Sequence, residues 1–242
     1  MNECLDDYER EVFGTSGGLI ISRREISAVL AHLKPIAHEK ILDVGTGTGR
    51  IARELVKKGV EITGVDISLI RIKTSAKNRE STQTGSSNYE LINADGQFLP
   101  FEDSSFDAIV CLRTLKYFPD YQLGIREMSR VLKPGGRMVL SISNLYSIDF
   151  ILARLRMLAY KKLFRLEELR RIFTINDLKI MKTQAMNKVH PRVWSLSNSP
   201  FLLALLNSVE LTLQKATPKE FLPRELLIHI VKMKRQTGYS SG

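Results

Sequence analysis

The stretch Ile41-Leu42-Asp43-Val44-Gly45-Thr46-Gly47-Thr48-Gly49-Arg50 decides the fold of this chain of 242 residues. Its first four residues, together with Lys40, are predicted to form a short strand, and the three apolar residues among them are typical of a buried strand. Glycines at alternate positions allow a tight turn whose backbone can approach a ligand closely. A purely structural turn between a strand and a helix needs one glycine and rarely three. The loop therefore predicts a ligand site directly after a strand.

The rival interpretation of this loop is the dinucleotide-binding fingerprint, G-x-G-x-x-G/A. Counted from Gly45, the third small residue of that fingerprint falls on position 50, which is Arg50. The spacing fails there, and this disfavours a nicotinamide enzyme. The pattern that the loop does match, from Asp43 to Gly49, is D-x-G-x-G-x-G.

Strands and helices alternate around the loop, which indicates right-handed crossovers and a parallel sheet covered on both sides. Ser22 is the predicted N-cap of the first helix, and Gly59 is the predicted left-handed residue that ends the second. Pro134-Gly135-Gly136 is predicted to stop the fourth helix. The predicted strands are 40–44, 60–65, 89–93, 106–112, 137–143, 178–184 and 226–234, and the predicted helices are 19–34, 51–58, 68–79, 121–132, 145–173 and 200–213.

Four motifs in order, across residues 40–143, resemble the class I (Rossmann-like) S-adenosylmethionine-dependent methyltransferases. The resemblance is to the broad subgroup that includes the ubiquinone and menaquinone methyltransferases. The motifs are the glycine loop, Gly64-Val65-Asp66-Ile67-Ser68, Asn93-Ala94-Asp95-Gly96-Gln97-Phe98-Leu99-Pro100-Phe101, and the pair formed by residues 105–110 and 130–136.

The resemblance implies that S-adenosyl-L-methionine is the cofactor and lies across these motifs. It implies that Asp43 faces the amino end of the cofactor, that Asp66 accepts hydrogen bonds from both ribose hydroxyls, and that Ile67 lies against the adenine. Asp95 would meet the adenine amino group. The implied cofactor-binding residues are Asp43, Gly45, Thr46, Gly47, Gly49, Asp66, Ile67, Asp95, Gly96, Gln97, Leu112 and Arg113.

Two of these assignments have a structural alternative. Asp66 could instead cap the helix that follows it, and NAD enzymes also use an acidic residue at this point. The segment around Asp95 could be a surface turn. The order of the motifs, more than any single motif, favours the cofactor site.

Ligands in such sheets bind outside the carboxyl ends of the strands, so residues 111–118 are expected to line the reaction centre. Leu115, Lys116 and Tyr117 are the predicted substrate-side residues. Many relatives carry a histidine where this chain has Lys116 or Tyr117, so no catalytic residue is assigned. No metal is expected, and Tyr8 and Phe13 are expected to contribute to an N-terminal lid.

The formal charge of +10 is unevenly distributed, with a net charge of −1 over residues 1–149 and +11 over residues 150–242. Residues 145–165 interleave apolar and basic side chains, which suits a membrane surface or another anionic partner such as RNA. The alternative is an ordinary solvated helix packed on the sheet. No apolar run approaches the length of a transmembrane span, and with the acidic N-terminus and two cysteines we expect a cytoplasmic protein.

These observations predict an enzyme that transfers a methyl group by in-line displacement to a small-molecule or lipid-like acceptor. The alternatives are a methyltransferase acting on RNA or another anionic macromolecule, and a non-catalytic cofactor-binding accessory protein. We expect one α/β domain, with a Rossmann-like seven-stranded, mostly parallel sheet, helices on both faces and an antiparallel final strand. Within residues 1–242 the expected parts are a helical lid (1–35), a cofactor-binding core (36–144) and a basic C-terminal part with a substrate cap (145–242).

Overall fold

The computed structural model describes residues 14–80, 88–147, 162–186, 199–216 and 225–234. In these ranges the strands are β1 (Lys40–Val44), β2 (Glu61–Asp66), β3 (Tyr89–Asn93), β4 (Phe106–Cys111), β5 (Leu132–Ser143), β6 (Leu178–Met186) and β7 (Glu225–Lys232). They form one sheet in the order β3-β2-β1-β4-β5-β7-β6. The pairs from β3 to β5 are parallel, and β7 runs antiparallel to both of its neighbours. The predicted fold class is confirmed.

Helices pack against both faces of this sheet. The helices of the described ranges are α1 (Ser16–Leu33), α2 (Arg50–Val56), α3 (Leu69–Glu80), α4 (Tyr121–Val131), α5 (Leu166–Ile175) and α6 (Pro200–Ala216), with a short 3₁₀ turn at Leu115–Tyr117. The first five pack against the sheet, whereas most of the described side chains of α6 are exposed. None of these helices is long and apolar enough to cross a bilayer.

The alternating side chains of the strands divide the described core into two apolar clusters, because successive residues of a strand point to opposite faces. In β1, Leu42 packs in the cluster that includes α4 and α5. Its neighbour Ile41 packs in the cluster that includes α1 and α2. The central strands are therefore covered on both sides, and their carboxyl ends remain as the edge where a site can form.

Two local predictions differ from the structure. Ser22 lies inside α1 and is buried, whereas the N-cap is Thr15, whose side chain accepts a hydrogen bond from the backbone N–H of Gly18 at 3.1 Å. The turn predicted at Pro134-Gly135-Gly136 lies inside β5, which begins at Leu132, directly after α4. There the pairing shifts between Phe106 and Ala108 of β4, so a bulge takes up the extra residues.

The predicted helix over residues 145–173 falls largely outside the described residues, which omit 148–161. Its last part overlaps α5, which extends to Ile175. Tyr8 and Phe13, the proposed lid residues, also lie outside the described residues.

Candidate functional site

A cavity of about 410 Å³ lies at the carboxyl ends of β1, β2, β3 and β4. This volume falls in the range of about 300–1,000 Å³ that is typical of small-molecule sites. The residues predicted to bind cofactor or substrate all line the cavity except Gly49 and Leu115. The topology thus brings together motifs that are far apart in the sequence.

The glycine loop is held against β2 and against the loop after β4. The backbone N–H groups of Gly45 and Thr46 both donate to the carbonyl of Val65, at 2.8 and 2.9 Å. Gly45 has a positive φ of 73°, and a Cβ added there would lie 2.1 Å from Oγ1 of Thr114. Only glycine allows this contact, so the loop presents bare backbone at one wall of the cavity.

Gly49 and Leu115 have other roles. Gly49 is the N-cap of α2, and a Cβ there would lie 2.3 Å from Oγ of Ser75, so this glycine lets α2 and α3 approach each other. Leu115 is wholly buried in the apolar core. The prediction that Leu115 lies on the substrate side of the cavity is therefore wrong. The 3₁₀ turn directs its side chain into the core.

Asp66, at the end of β2, is 7% exposed and lines the cavity. Its Oδ2 accepts a hydrogen bond from Gly47 N–H at 3.0 Å, and its Oδ1 accepts one from Ser68 N–H at 2.9 Å. The second bond satisfies a backbone donor directly before α3, so Asp66 also contributes to capping this helix, as the structural alternative predicts. The first bond ties the carboxylate to the glycine loop, so both oxygens are fixed at the cavity wall.

Asp95, after β3, lies in a turn that also forms part of the wall. The backbone N–H of Gln97 donates to Oδ1 of Asp95 at 2.9 Å, and Nε2 of Gln97 lies 3.2 Å from each carboxylate oxygen. Oε1 of Gln97 accepts from the backbone N–H of Asp120 at 2.8 Å, which connects this turn to the N-cap of α4. The turn is thus rigidly held while it lines the cavity.

Asp43 is the buried carboxyl group at the end of β1. Burial raises its pKa from 3.8 to about 7, although the hydrogen bond from Oγ1 of Thr46 and the charge of Arg50 act in the opposite direction. The negative charge of Asp66 adds to the rise. A group with this pKa can gain or lose its proton near neutral pH when a charged ligand arrives.

An ion-pair chain that the sequence analysis missed runs beside the cavity. Nη2 of Arg50 donates to Oε2 of Glu25 at 2.8 Å, and Nη2 of Arg113 donates to Oε1 of the same carboxylate. Nε of Arg113 lies 3.2 Å from Oε2 of Glu225 in β7. We call these four residues the ion-pair chain. One signal was available, since Glu25 falls on the apolar face of α1, four residues after Ile21.

Lys116 and Tyr117 line the cavity where the substrate-side residues were expected. Nζ of Lys116 lies 5.4 Å from the centroid of the Tyr117 ring, and the tyrosine is 44% exposed. Among the described residues, none of those that line the cavity is a histidine. The described part of the chain also holds no cluster of three or more metal-ligating side chains.

Residues 42–140 match the family described as "Methyltransferase domain". A demethylmenaquinone methyltransferase of Corynebacterium kroppenstedtii is 39% identical over 111 residues, which are 46% of this chain and 44% of that protein. A ubiquinone biosynthesis O-methyltransferase of Albidiferax ferrireducens is 30% identical over 122 residues, which are 50% and 48% of the two chains.

Among solved structures, a geranyl diphosphate methyltransferase in complex with S-adenosylmethionine aligns with a TM-score of 0.64. The alignment is 18% identical and covers 87% of this chain and 85% of that one. This likeness concerns the fold. The chain spans less than half the length of the two curated relatives named above. Residues 42–140 thus match a methyltransferase domain, the same part of the chain is similar to quinone methyltransferases, and the fold is that of the class I, Rossmann-like type.

Proposed function

We propose that this chain is an S-adenosyl-L-methionine-dependent methyltransferase that acts on a small-molecule or lipid-like acceptor. The observation that carries the proposal is the cavity at which the glycine loop, Asp66 and Asp95 meet, since these residues belong to the matched domain. Two relatives are named as a demethylmenaquinone methyltransferase and a ubiquinone biosynthesis O-methyltransferase. These names support a small organic molecule as the acceptor.

The cavity fits the proposed cofactor in size and in the order of its polar groups. Along the sheet edge the strands follow the order β3, β2, β1, β4, and three strand spacings of about 4.8 Å amount to about 14 Å. Asp95 and Asp66 lie at the first two strands and suit the amino group of an adenine and the hydroxyls of a ribose. The glycine loop and Arg113 lie at the other two, where the amino-acid end of the cofactor would be held.

The cofactor would supply a methyl group on a sulfonium, which is the electrophile. The residues of this chain would then act mainly by holding the two reactants in line, a contribution worth about 7–11 kcal/mol in well-oriented systems. Lys116 and Tyr117 are the proposed acceptor-side residues, and no general base is assigned. Their aromatic ring and ammonium group would accept a substrate that is both apolar and oxygenated.

An anionic partner for the basic C-terminal part and a cytoplasmic location stay predictions. The division into a lid, a cofactor-binding core and a C-terminal cap is likewise proposed. Methylation of RNA and a purely accessory role are the outcomes that the following experiment separates from the proposal.

The experiment has a binding arm and a transfer arm. In the binding arm, S-adenosylhomocysteine should raise the melting temperature of the protein, by an amount that grows with ligand concentration, and NAD should not. In the transfer arm, labelled methyl groups should appear in demethylmenaquinol or a related hydroxylated aromatic acceptor, and not in RNA. Stabilisation by NAD alone would contradict the proposed cofactor. Binding without transfer to any acceptor would favour the accessory role, and labelled RNA would favour the macromolecular substrate.

A further inference from the structure

Helix α6 presents apolar side chains to solvent and turns Asn207 and Glu210 towards the protein. Glu210 is 1% exposed, and Oδ1 of Asn207 accepts a hydrogen bond from Nη2 of Arg24 in α1. Phe201, by contrast, is 80% exposed. A surface helix of a folded protein normally has the opposite arrangement, with its apolar stripe against the core. The outward face of α6 therefore suits an apolar environment better than it suits water.

The exposed apolar side chains of α6 form one surface. Leu205 and Val209 follow Phe201 at intervals of four residues, so these three side chains lie on the same side of the helix. Every exposed side chain at positions 201–212 is uncharged. We call the large apolar side chains among them the apolar face of α6; its members are Phe201, Leu202, Leu205, Val209 and Leu211.

The size of the apolar face favours a lipid surface over a second protein. A large side chain has roughly 200 Å² to expose, so the exposed fractions of the five members amount to about 500 Å². A stable interface between proteins buries about 800 Å² on each partner, and the apolar face falls short of that area. A bilayer sets no such requirement, because it accepts an apolar helix face without a matching shape. Since α6 is not long and apolar enough to cross a bilayer, it would lie in the plane of the membrane surface.

Basic side chains lie beside the apolar face. Arg24 reaches α6 through its hydrogen bond to Asn207, and its neighbour Arg23 is exposed. Residues 150–242, which include α6, carry the net charge of +11. An apolar helix face with cationic side chains next to it is typical of helices that bind the headgroup region of anionic membranes. Charge complementarity therefore favours a membrane with anionic lipid.

We propose that the apolar face of α6, with Arg23 of α1 at its side, docks on the surface of a bilayer that contains anionic lipid. This inference goes beyond the proposed function and does not depend on it, because it rests on α6 and α1 and not on the cavity. The two sites are nevertheless near each other. Arg24, which bonds to α6, precedes Glu25, which bonds to Arg113 of the cavity wall.

The test is co-sedimentation of the full chain with vesicles of phosphatidylcholine, with or without phosphatidylglycerol. The wild-type protein should sediment with the mixed vesicles. Phe201→Ser combined with Leu205→Ser should weaken this binding at least tenfold, since two large apolar side chains are lost from the contact. Arg23→Gln should weaken binding to the mixed vesicles about fivefold and leave binding to pure phosphatidylcholine unchanged.

The matched control is Ile36→Ser combined with Ile175→Ser. These side chains are 62% and 81% exposed, similar to Leu205 and Phe201, but they lie before β1 and before β6, outside α6. This variant should bind the vesicles as the wild-type protein does. Because all the substituted side chains are exposed, the melting temperatures should be unchanged. If the α6 double variant does not fold, Val209→Ser makes the same comparison with a smaller expected loss.

The contrary outcomes each overturn the proposal. A wild-type protein that sediments with neither kind of vesicle does not dock on lipid. Equal binding of the wild-type protein and the α6 double variant would show attraction by charge alone, and equal weakening in the control variant would show unspecific adhesion of apolar side chains. A wild-type dimer in light scattering that the α6 double variant dissociates would show that a second copy of the chain covers α6. The thermal shift with S-adenosylhomocysteine tests the proposed function separately.

Discussion

Replacing Asp66 by alanine tests the cofactor site at its most constrained point. The carboxylate is 7% exposed, and backbone N–H groups on two sides hold its oxygens, at 3.0 and 2.9 Å. A ribose would find it already oriented and largely desolvated. Two charge-assisted hydrogen bonds of about 1.5 kcal/mol each amount to about 3 kcal/mol, or roughly a hundredfold in affinity. We therefore expect Asp66→Ala to weaken the binding of S-adenosylhomocysteine by about this factor.

Isothermal titration calorimetry provides the measurement, and two further variants sharpen it. Asp66→Asn keeps one acceptor oxygen and should lose only about tenfold. Asp107→Asn removes a charge at the opposite edge of the sheet, where Asp107 pairs with Nζ of Lys133 at 2.6 Å, and should leave the affinity unchanged. If Asp66→Ala bound the ligand within about twofold of the wild-type protein, the reasoning would be refuted, because a buried acceptor of a ribose cannot be lost at so small a cost.

Gly47→Val should abolish measurable binding of S-adenosylhomocysteine, because φ is 57° at this position and a branched side chain is strained there. Gly59→Val is the control, since Gly59 is also left-handed (φ 75°) but does not line the cavity, and its variant should be less stable yet still bind. For Asp43, the pKa of about 7 in the folded protein lies above its ordinary value of 3.8. The unfolded chain therefore releases this proton first, and the contribution of Asp43 to the free energy of unfolding should fall between pH 3.8 and about 7. If Asp43 faces the ammonium group of the ligand, affinity should rise as pH increases through about 7; Asp43→Asn should flatten that dependence, and an unchanged slope in calorimetry would contradict this role.

The parts of the site that could be predicted are those with a local signature. The glycine loop and Asp66 each sit directly after a strand whose apolar pattern can be read from a few consecutive residues. Since the carboxyl ends of parallel strands share one edge of the sheet, order along the chain was enough to bring these motifs together.

The ion-pair chain has no such signature. Arg113 is separated from Glu25 by 88 residues and from Glu225 by 112, and no periodic pattern reports a pair at that distance. Local signals were also overridden at Pro134-Gly135-Gly136, where pairing with β4 extends the strand through a sequence that favours a turn. The side chain of Leu115 was wrongly predicted for a similar reason. The tight turn after β4 determines which of the side chains of residues 115–117 enters the core, and the local sequence does not show this.

The reversed direction of β7 has a consequence for how this protein folds. Because β7 runs against its neighbours, its first residue, Glu225, reaches the edge where the other central strands finish. Closing the 112-residue segment between Arg113 and Glu225 requires β7 to enter between β5 and β6, and contacts of such long range form slowly compared with helices. The part of the cavity wall that includes Arg113 should consequently be among the last parts of the site to form when the chain refolds.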